Sequence, residues 1–240
     1  MEKKSIEVCF TPVLFEHILT SEDYIVVVTD IFRATTSIVA AFYNGVKSVI
    51  PVAGHDQARE YKEKGFLVAA EQDGVVLDFA DFGNSAFNFM TEEVKGKTIA
   101  YSTTNGTKAI HMAAKLGTVA IGAFSNLTVL SQWLISQQKN VVILCAGWKG
   151  KFNLEDSFYA GALVEKLNAN DGFEVICDSA YAALDIWNVG KNNPIEYLDK
   201  ALHRHRLKKL NLDDVIPYSL TLDNAPVVPV LIGDEIVNVL

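Results

Sequence analysis

The sequence predicts an α/β protein with a three-layer α/β/α architecture and a largely parallel or mixed central sheet. Two observations carry this reading. Short apolar runs alternate with segments of helical periodicity, the pattern of strands covered by helices. Most of those runs are apolar on both alternating faces, which suits strands buried from two sides. A half-exposed antiparallel sheet would alternate hydrophobic with polar residues.

Taken in order, residues 24–28, 49–52, 66–70, 98–101, 119–121 and 141–145 read as strands. Residues 35–43, 56–64, 107–115, 127–138 and 155–168 read as helices, with Gly45, Gly65 and Gly117 after three of them as C-terminal stops. The last third is less regular. Residues 180–187 and 195–206 have helical spacing, while 227–232 and 235–240 read as two strands around Gly233-Asp234. The strand, polar turn, helix unit recurs, which raises two related halves, yet no linker rich in Pro, Gly or Ser divides the chain. Residues 1–240 are therefore read as one domain.

Half of the 240 residues are apolar and 21% are charged, a globular and not a disordered composition. The net charge of −8 carries no basic block, so the long-range field argues against a nucleic-acid or anionic-membrane partner. Cys9, Cys145 and Cys177 lie far apart among apolar residues without a CxxC pair, which reads as buried thiols in a reducing compartment. The apolar stretch 8–15 is cut by Thr11 and Pro12 and then meets Glu16 and His17, so no cleavable signal is expected. No apolar run approaches the roughly 20 residues of a membrane span. The cytoplasm is the expected location.

In open α/β sheets ligands bind beyond the carboxyl ends of the strands, so strand-to-helix turns are the places to look for chemistry. The turn Asp30-Ile31-Phe32-Arg33-Ala34-Thr35-Thr36 sets a carboxylate, a guanidinium and two hydroxyls near a helix N-terminus. A metal takes the carboxylate, while a phosphate takes backbone N–H groups, hydroxyls and a bidentate Arg. The plainer alternative is that Thr35 or Thr36 caps the helix and Arg33 pairs with Asp30. Ser102-Thr103-Thr104-Asn105-Gly106-Thr107 is a run of hydroxyls and one amide that can wrap an anion. A third turn runs from Ala146-Gly147 through Lys149 and Asn153 to Glu155 and Asp156, where Asn153 and Asp156 have capping spacing. The long loop 71–89 carries Asp81-Phe82-Gly83-Asn84-Ser85, whose side chains suit the surroundings of magnesium or phosphate. The five histidines show no HExxH pattern, and His203 and His205 sit at a spacing that diverges on a helix. GxSxG, GxxxxGK[ST] and GxGxxG are all absent.

Several of these segments, in order, resemble the 2-phosphosulfolactate phosphatase family. Asp30 to Thr36 is similar to its D-hydrophobic-x-R-A-T-T segment, Asp81 to Ser85 to its DFGNS loop, and Thr103 to Thr107 to its TTNGT segment. Cys145-Ala146-Gly147 with Phe152-Asn153-Leu154-Glu155-Asp156 resembles its CAG and F-S-L-E-D stretch, and the likeness extends to Val228-Pro229-Val230. The sequence departs from the pattern at Ala80, at Asn153 in place of Ser, at Lys149 where an acid is common, and at Arg204, which replaces the glycine of a Ser-x-His-Gly stretch that keeps His203. The resemblance implies a magnesium-dependent enzyme of coenzyme M biosynthesis that releases phosphate from 2-phospho-3-sulfolactate, a small anionic substrate.

The residues expected at the site follow from motifs and resemblance together. Asp30, Arg33, Glu155 and Asp156 are the catalytic candidates. Arg33, Thr35, Thr36, Asn84, Ser85, Thr103, Thr104, Asn105 and Gly106 are the phosphate-binding ones. Asp30, Glu71 and Asp81 are the candidate Mg²⁺ ligands. Phe32 breaks a DxDxT signature, which favours attack by water over an aspartyl phosphate at Asp30. A phosphatase for another small phosphorylated acid and a catalytically silent anion-binding protein are the competing readings. A homo-oligomer is compatible with all three.

Overall fold

The computed structural model describes residues 2–17 and 24–240. The chain runs β1 (Lys4–Cys9), β2 (Tyr24–Thr29), α1 (Ala34–Tyr43), β3 (Ser48–Pro51), α2 (His55–Glu63), β4 (Leu67–Gln72), β5 (Val75–Val76), β6 (Thr98–Ser102), α3 (Gly106–Ala114), β7 (Thr118–Gly122), α4 (Leu127–Gln137) and β8 (Asn140–Cys145). It continues through α5 (Leu154–Asn168), β9 (Phe173–Val175), α6 (Asp178–Gly190), α7 (Pro194–Tyr197), α8 (Leu202–Lys209), α9 (Ile216–Ser219), β10 (Pro229–Ile232) and β11 (Glu235–Asn238). The strands form one mixed sheet in the order β5-β4-β6-β3-β11-β10-β7-β2-β8-β1-β9, the central layer of an α/β/α sandwich.

The sheet consists of two parallel blocks. One joins β4, β6 and β3; the other joins β7, β2, β8, β1 and β9. Every residue of β2 is buried, as expected for Val/Ile-rich strands covered on both faces. Each such side chain contributes roughly 1.5–3 kcal/mol by leaving water. On the larger block, α5 packs with α4 and α6 and lies over β1, β8 and β2, while α1 and α3 pack together against β2 and β7.

Three antiparallel ladders, β7 to β10, β10 to β11 and β11 to β3, separate the blocks, so these run in opposite senses. In a flat sheet their carboxyl ends would sit on opposite edges. The C-terminal hairpin, however, grips each block by a single residue pair, Val230 with Ala120 and Ile236 with Val49. This narrow join, together with sheet twist, lets the turns after β2 and β6 meet. Gly106 marks the meeting point: a Cβ there would lie 2.5 Å from Ala34 Cβ and 3.0 Å from Asp30 Oδ2.

The fold departs from the sequence pattern in a few places. The segment 195–206 is not one helix: α7 passes into a 3-10 turn at Leu198–Lys200, and extended Ala201 (φ −66°, ψ 124°) separates that turn from α8. Gly45 and Gly65 adopt the left-handed conformation of a helix stop, whereas Gly117 is needed because a Cβ would stand 2.7 Å from the Tyr24 carbonyl oxygen. Cys9 and Cys145 are buried free thiols, and Cys177 is half-buried beside Ser179. Among the described residues no helix is long and apolar enough to cross a membrane.

Candidate active site

The turn after β2 is built around Asp30. Its backbone N–H donates to Thr35 Oγ1 at 2.9 Å, and Thr36 Oγ1 donates to the Ile31 carbonyl at 3.0 Å. Both threonines are fully buried. Their oxygens thus brace the turn to α1 and do not line the cleft, which corrects the expectation that Thr35 and Thr36 face a phosphate. Asp30 is 6% exposed and lines the cleft; Ala34 N–H reaches its Oδ1 at 3.4 Å, and no described residue donates to Oδ2. Burial lifts its pKa to about 6, with the nearby His203 opposing.

Arg33, the first capping residue of α1, is 5% exposed and lines the same cleft. Its guanidinium donates no hydrogen bond to any described residue and makes no ion pair with Asp30. Burial lowers its pKa, while Glu71, Tyr101 and Asp30 nearby pull the other way. A buried cation with unmade donor bonds is costly unless a ligand completes them.

The other block contributes β4 and the turn after β6. Glu71 Oε1 accepts from Thr104 N–H (3.1 Å) and Thr104 Oγ1 (3.2 Å), and its Oε2 accepts from Gly74 N–H. Glu71 thereby ties the β4–β5 hairpin to the second turn. Thr103 Oγ1 accepts from Thr107 N–H at 3.2 Å and keeps its own proton to give. Asn105 Oδ1 accepts from Lys149 N–H at 3.2 Å, which leaves the Nδ2 donor pair. Asn84 Oδ1 accepts from the buried Tyr101 hydroxyl, again leaving Nδ2. The cleft therefore gathers Asp30, Arg33, Glu71, Asn84, Thr103, Thr104 and Asn105. Gly106 borders it by offering no Cβ.

Two nominated residues lie elsewhere. Asp81 Oδ2 accepts from Val68 N–H at 2.8 Å, and its Oδ1 pairs with Lys62. Val68 precedes Glu71 by three positions, about 10 Å back along the strand, so Asp81 does not join Asp30 and Glu71 as a ligand set. Ser85 stands before a short 3-10 turn, with its N–H donating to Asn88 Oδ1 at 3.3 Å.

Behind the cleft, Asp156 accepts from Ile31 N–H (2.8 Å), Gly147 N–H (3.1 Å) and Asn153 Nδ2 (2.8 Å). It braces two strand-to-helix turns against each other and does not line the cleft. Burial and the neighbouring Asp30 and Glu155 push its pKa well up. Asn153 does not cap α5 with its side chain; its amide donates to Glu155 Oε1 and Asp156 Oδ2 instead. Glu155 accepts from His203 Nδ1–H at 2.7 Å, which leaves His203 Nε2 as the unbonded ring atom of a residue that lines the cleft. The imidazole also stacks on Trp148, with centroids 6.1 Å apart. The histidine spacing gives His203 no metal or triad pattern; the signal in the sequence that points to it is its place in the Ser-x-His-Gly-like stretch.

Among the described residues, no three His, Cys, Asp or Glu side chains form a ready metal cluster. Magnesium is held by one or two carboxylates together with water and substrate phosphate, so it does not need one. Asp30 Oδ2, which accepts from no donor among the described residues and is left accessible by the missing Cβ of Gly106, fits that role.

A buried guanidinium and carboxylate thus meet at converging strand-to-helix turns of an α/β fold, an arrangement able to receive a phosphate monoester. The family comparison agrees: the model for 2-phosphosulpholactate phosphatase matches residues 9–234. The chain belongs to the 2-phosphosulfolactate phosphatase family. It is 36% identical over 210 residues to a protein of Caldanaerobacter subterraneus subsp. tengcongensis, covering 86% of this chain and 87% of the relative. It is 35% identical over 207 residues to one of Thermotoga maritima (86% and 88%) and 33% over 226 residues to one of Carboxydothermus hydrogenoformans (93% and 92%). All three bear the name "Probable 2-phosphosulfolactate phosphatase".

Proposed function

We propose that this protein hydrolyses 2-phospho-3-sulfolactate to 3-sulfolactate and phosphate in a magnesium-dependent reaction. The observation that carries the reading is Arg33, a buried guanidinium without a hydrogen-bond partner among the described residues, in a cleft it shares with Asp30. Its two-pronged donor set matches two phosphate oxygens. Thr103 Oγ1, Asn105 Nδ2 and Asn84 Nδ2 supply further donors to the same group. Asp30, with Glu71 close by, would hold Mg²⁺, which supplies charge that neutralises the phosphate and favours attack at phosphorus.

In the proposed chemistry a water oxygen bonds to phosphorus as the ester P–O bond breaks. The departing alkoxide takes a proton from His203 Nε2, and Glu155 steadies the ring through Nδ1. The water's second proton passes to an oxygen of the released phosphate, so Asp30 remains a carboxylate able to hold the metal. The free buried thiols support a reducing location such as the cytoplasm.

Phosphate release from a panel of phosphorylated hydroxy acids, with magnesium and with excess chelator, tests the reading. Turnover of 2-phosphosulfolactate that chelation abolishes and magnesium restores is the expected result. Full activity in chelator removes the metal, preference for another phosphorylated acid removes the substrate, and binding without phosphate release removes the enzyme.

A further inference from the structure

The cleft has a second cationic side chain that phosphate binding leaves unused. Arg206 lines it from α8, far along the chain from Arg33. Its Nη2 donates to both the carbonyl and the Oδ1 of Asp73, while Nη1 and Nε donate to no described residue. Lys149 Nζ stands 3.1 Å from the same Asp73 Oδ1. Both cations also sit by the Trp148 ring, with Arg206 Cζ at 5.3 Å and Lys149 Nζ at 5.6 Å from its centroid. Two cations thus share one carboxylate at the mouth of a cleft in a protein of net charge −8.

The position of that carboxylate is built into the hairpin. Gln72 pairs with Val75, so Asp73 and Gly74 form a two-residue loop, with φ of +54° and +91°. This is the left-handed pair that a tight hairpin requires. Glu71, one residue before the pair in β4, accepts the Gly74 N–H and fixes the loop against the cleft. Asp73 is 47% exposed and Lys149 53%, so these ion pairs are weak and exchangeable.

We infer that Arg206, assisted by Lys149, binds the second acidic group of the substrate, a carboxylate or sulfonate, and that Asp73 is the internal anion which this group displaces. The inference rests on the phosphatase reading of the same cleft. With Arg33 at the phosphate and Arg206 at the mouth, one small hydroxy-acid phosphate can meet both. Two oxygens of a carboxylate or a sulfonate suit the open Nε and Nη1 donors of Arg206 in a way that a lysine in its place would not reproduce. The arrangement selects for phosphate esters that carry an additional acid.

The test compares 2-phosphosulfolactate with ethyl phosphate, which has no second acid, and measures 3-sulfolactate binding by calorimetry. Arg206→Gln is expected to lower the ratio of kcat/KM for phosphosulfolactate over ethyl phosphate at least about tenfold, mostly through KM. It should weaken sulfolactate binding by a similar factor, with Arg206→Lys in between. Asp73→Asn should instead lower KM for phosphosulfolactate, because the competing anion is gone. Melting temperatures check that each variant is folded. An unchanged ratio, equal losses on both esters, or sulfolactate affinity indifferent to Arg206 overturns the inference. A wild-type protein that cleaves neither ester overturns the phosphatase reading instead, and calorimetry still decides the role of Arg206.

Discussion

Asp30→Asn in metal-free protein separates a functional carboxylate from a structural one, because the two roles predict opposite changes in stability. Burial raises the Asp30 pKa from 3.8 to about 6. The folded protein therefore holds this proton more tightly than the unfolded chain does. Its contribution to stability is greatest below pH ~4, falls as pH rises to ~6, and stays lost above that. The shift corresponds to about 3 kcal/mol, an upper bound because Asp30 interacts with Glu155 and Glu71. Asparagine keeps the shape and an acceptor for Ala34 N–H but carries no charge. Urea unfolding in chelator from pH 4.5 to 8 should show Asp30→Asn losing less stability than wild type and exceeding it above pH 6 by about 1–3 kcal/mol. Turnover with magnesium should fall by about a hundredfold or more. Slopes from carboxyls remote from Asp30 are common to both proteins and cancel in the difference. Asp156, which Asp30 helps to hold protonated, ionises more easily in the variant and adds to the difference in the same direction. A variant less stable than wild type at pH 8, or one that keeps its turnover, would refute the reasoning.

Arg33→Lys keeps the charge but not the fork, so kcat/KM should drop at least about tenfold, with Arg33→Ala lower still; wild-type kinetics in the lysine variant would end the bidentate role. His203→Gln should lower kcat more than KM and flatten one limb of the pH–rate profile, and an unaltered profile would leave the ring a purely packing role against Trp148. Gly106→Ala pushes a methyl toward Ala34 Cβ and Asp30 Oδ2, with an expected loss of about 1–3 kcal/mol by denaturation. A Gly106→Ala protein as stable as wild type would show that the two turns do not meet at Gly106 within the 2.5 Å and 3.0 Å of Ala34 Cβ and Asp30 Oδ2.

The parts of the site legible in the sequence were those made by short segments. Asp30 with Arg33, and Thr103 with Asn105, stand directly after strands, and strand ends fix where side chains go. Thr35 and Thr36 misled because a hydroxyl one helical turn from Asp30 can serve the backbone as easily as a ligand; here the Asp30 N–H and Ile31 carbonyl take them. Asp81 misled for a long-range reason: the edge of β4 offers the Val68 N–H, a partner that no local pattern reveals. His203 escaped because its value comes from Glu155, 48 positions away. Of the strands, β1, β5 and β9 have no counterpart in the sequence reading, β5 being two residues inside the loop 71–89. Lys4–Cys9 starts with polar residues near the sheet edge, and Phe173–Val175 is too short for periodicity to register. The C-terminal hairpin was visible from Gly233-Asp234, yet its insertion between two oppositely running blocks depends on pairings no local signal encodes.

The departures from the family pattern fall unevenly over this architecture, and their places separate chemistry from selectivity. Asn153, in place of Ser, lies behind the cleft, where its amide spans Glu155 and Asp156 and keeps two adjacent buried carboxylates apart. Arg204 turns outward to the Ile195 carbonyl and Asp199. Neither touches the phosphate end, where Asp30, Arg33, Thr103 and Asn105 all retain the matching residues. Lys149 is different. An acid at that position would face Asp73 across about 3 Å as a like charge and would repel an incoming acid. Lysine instead adds a second cation to the mouth beside Arg206. On the proposed reading the departures thus spare the phosphate end, and Lys149 alone among them bears on the choice of acid, through the carboxylate that it shares with Arg206.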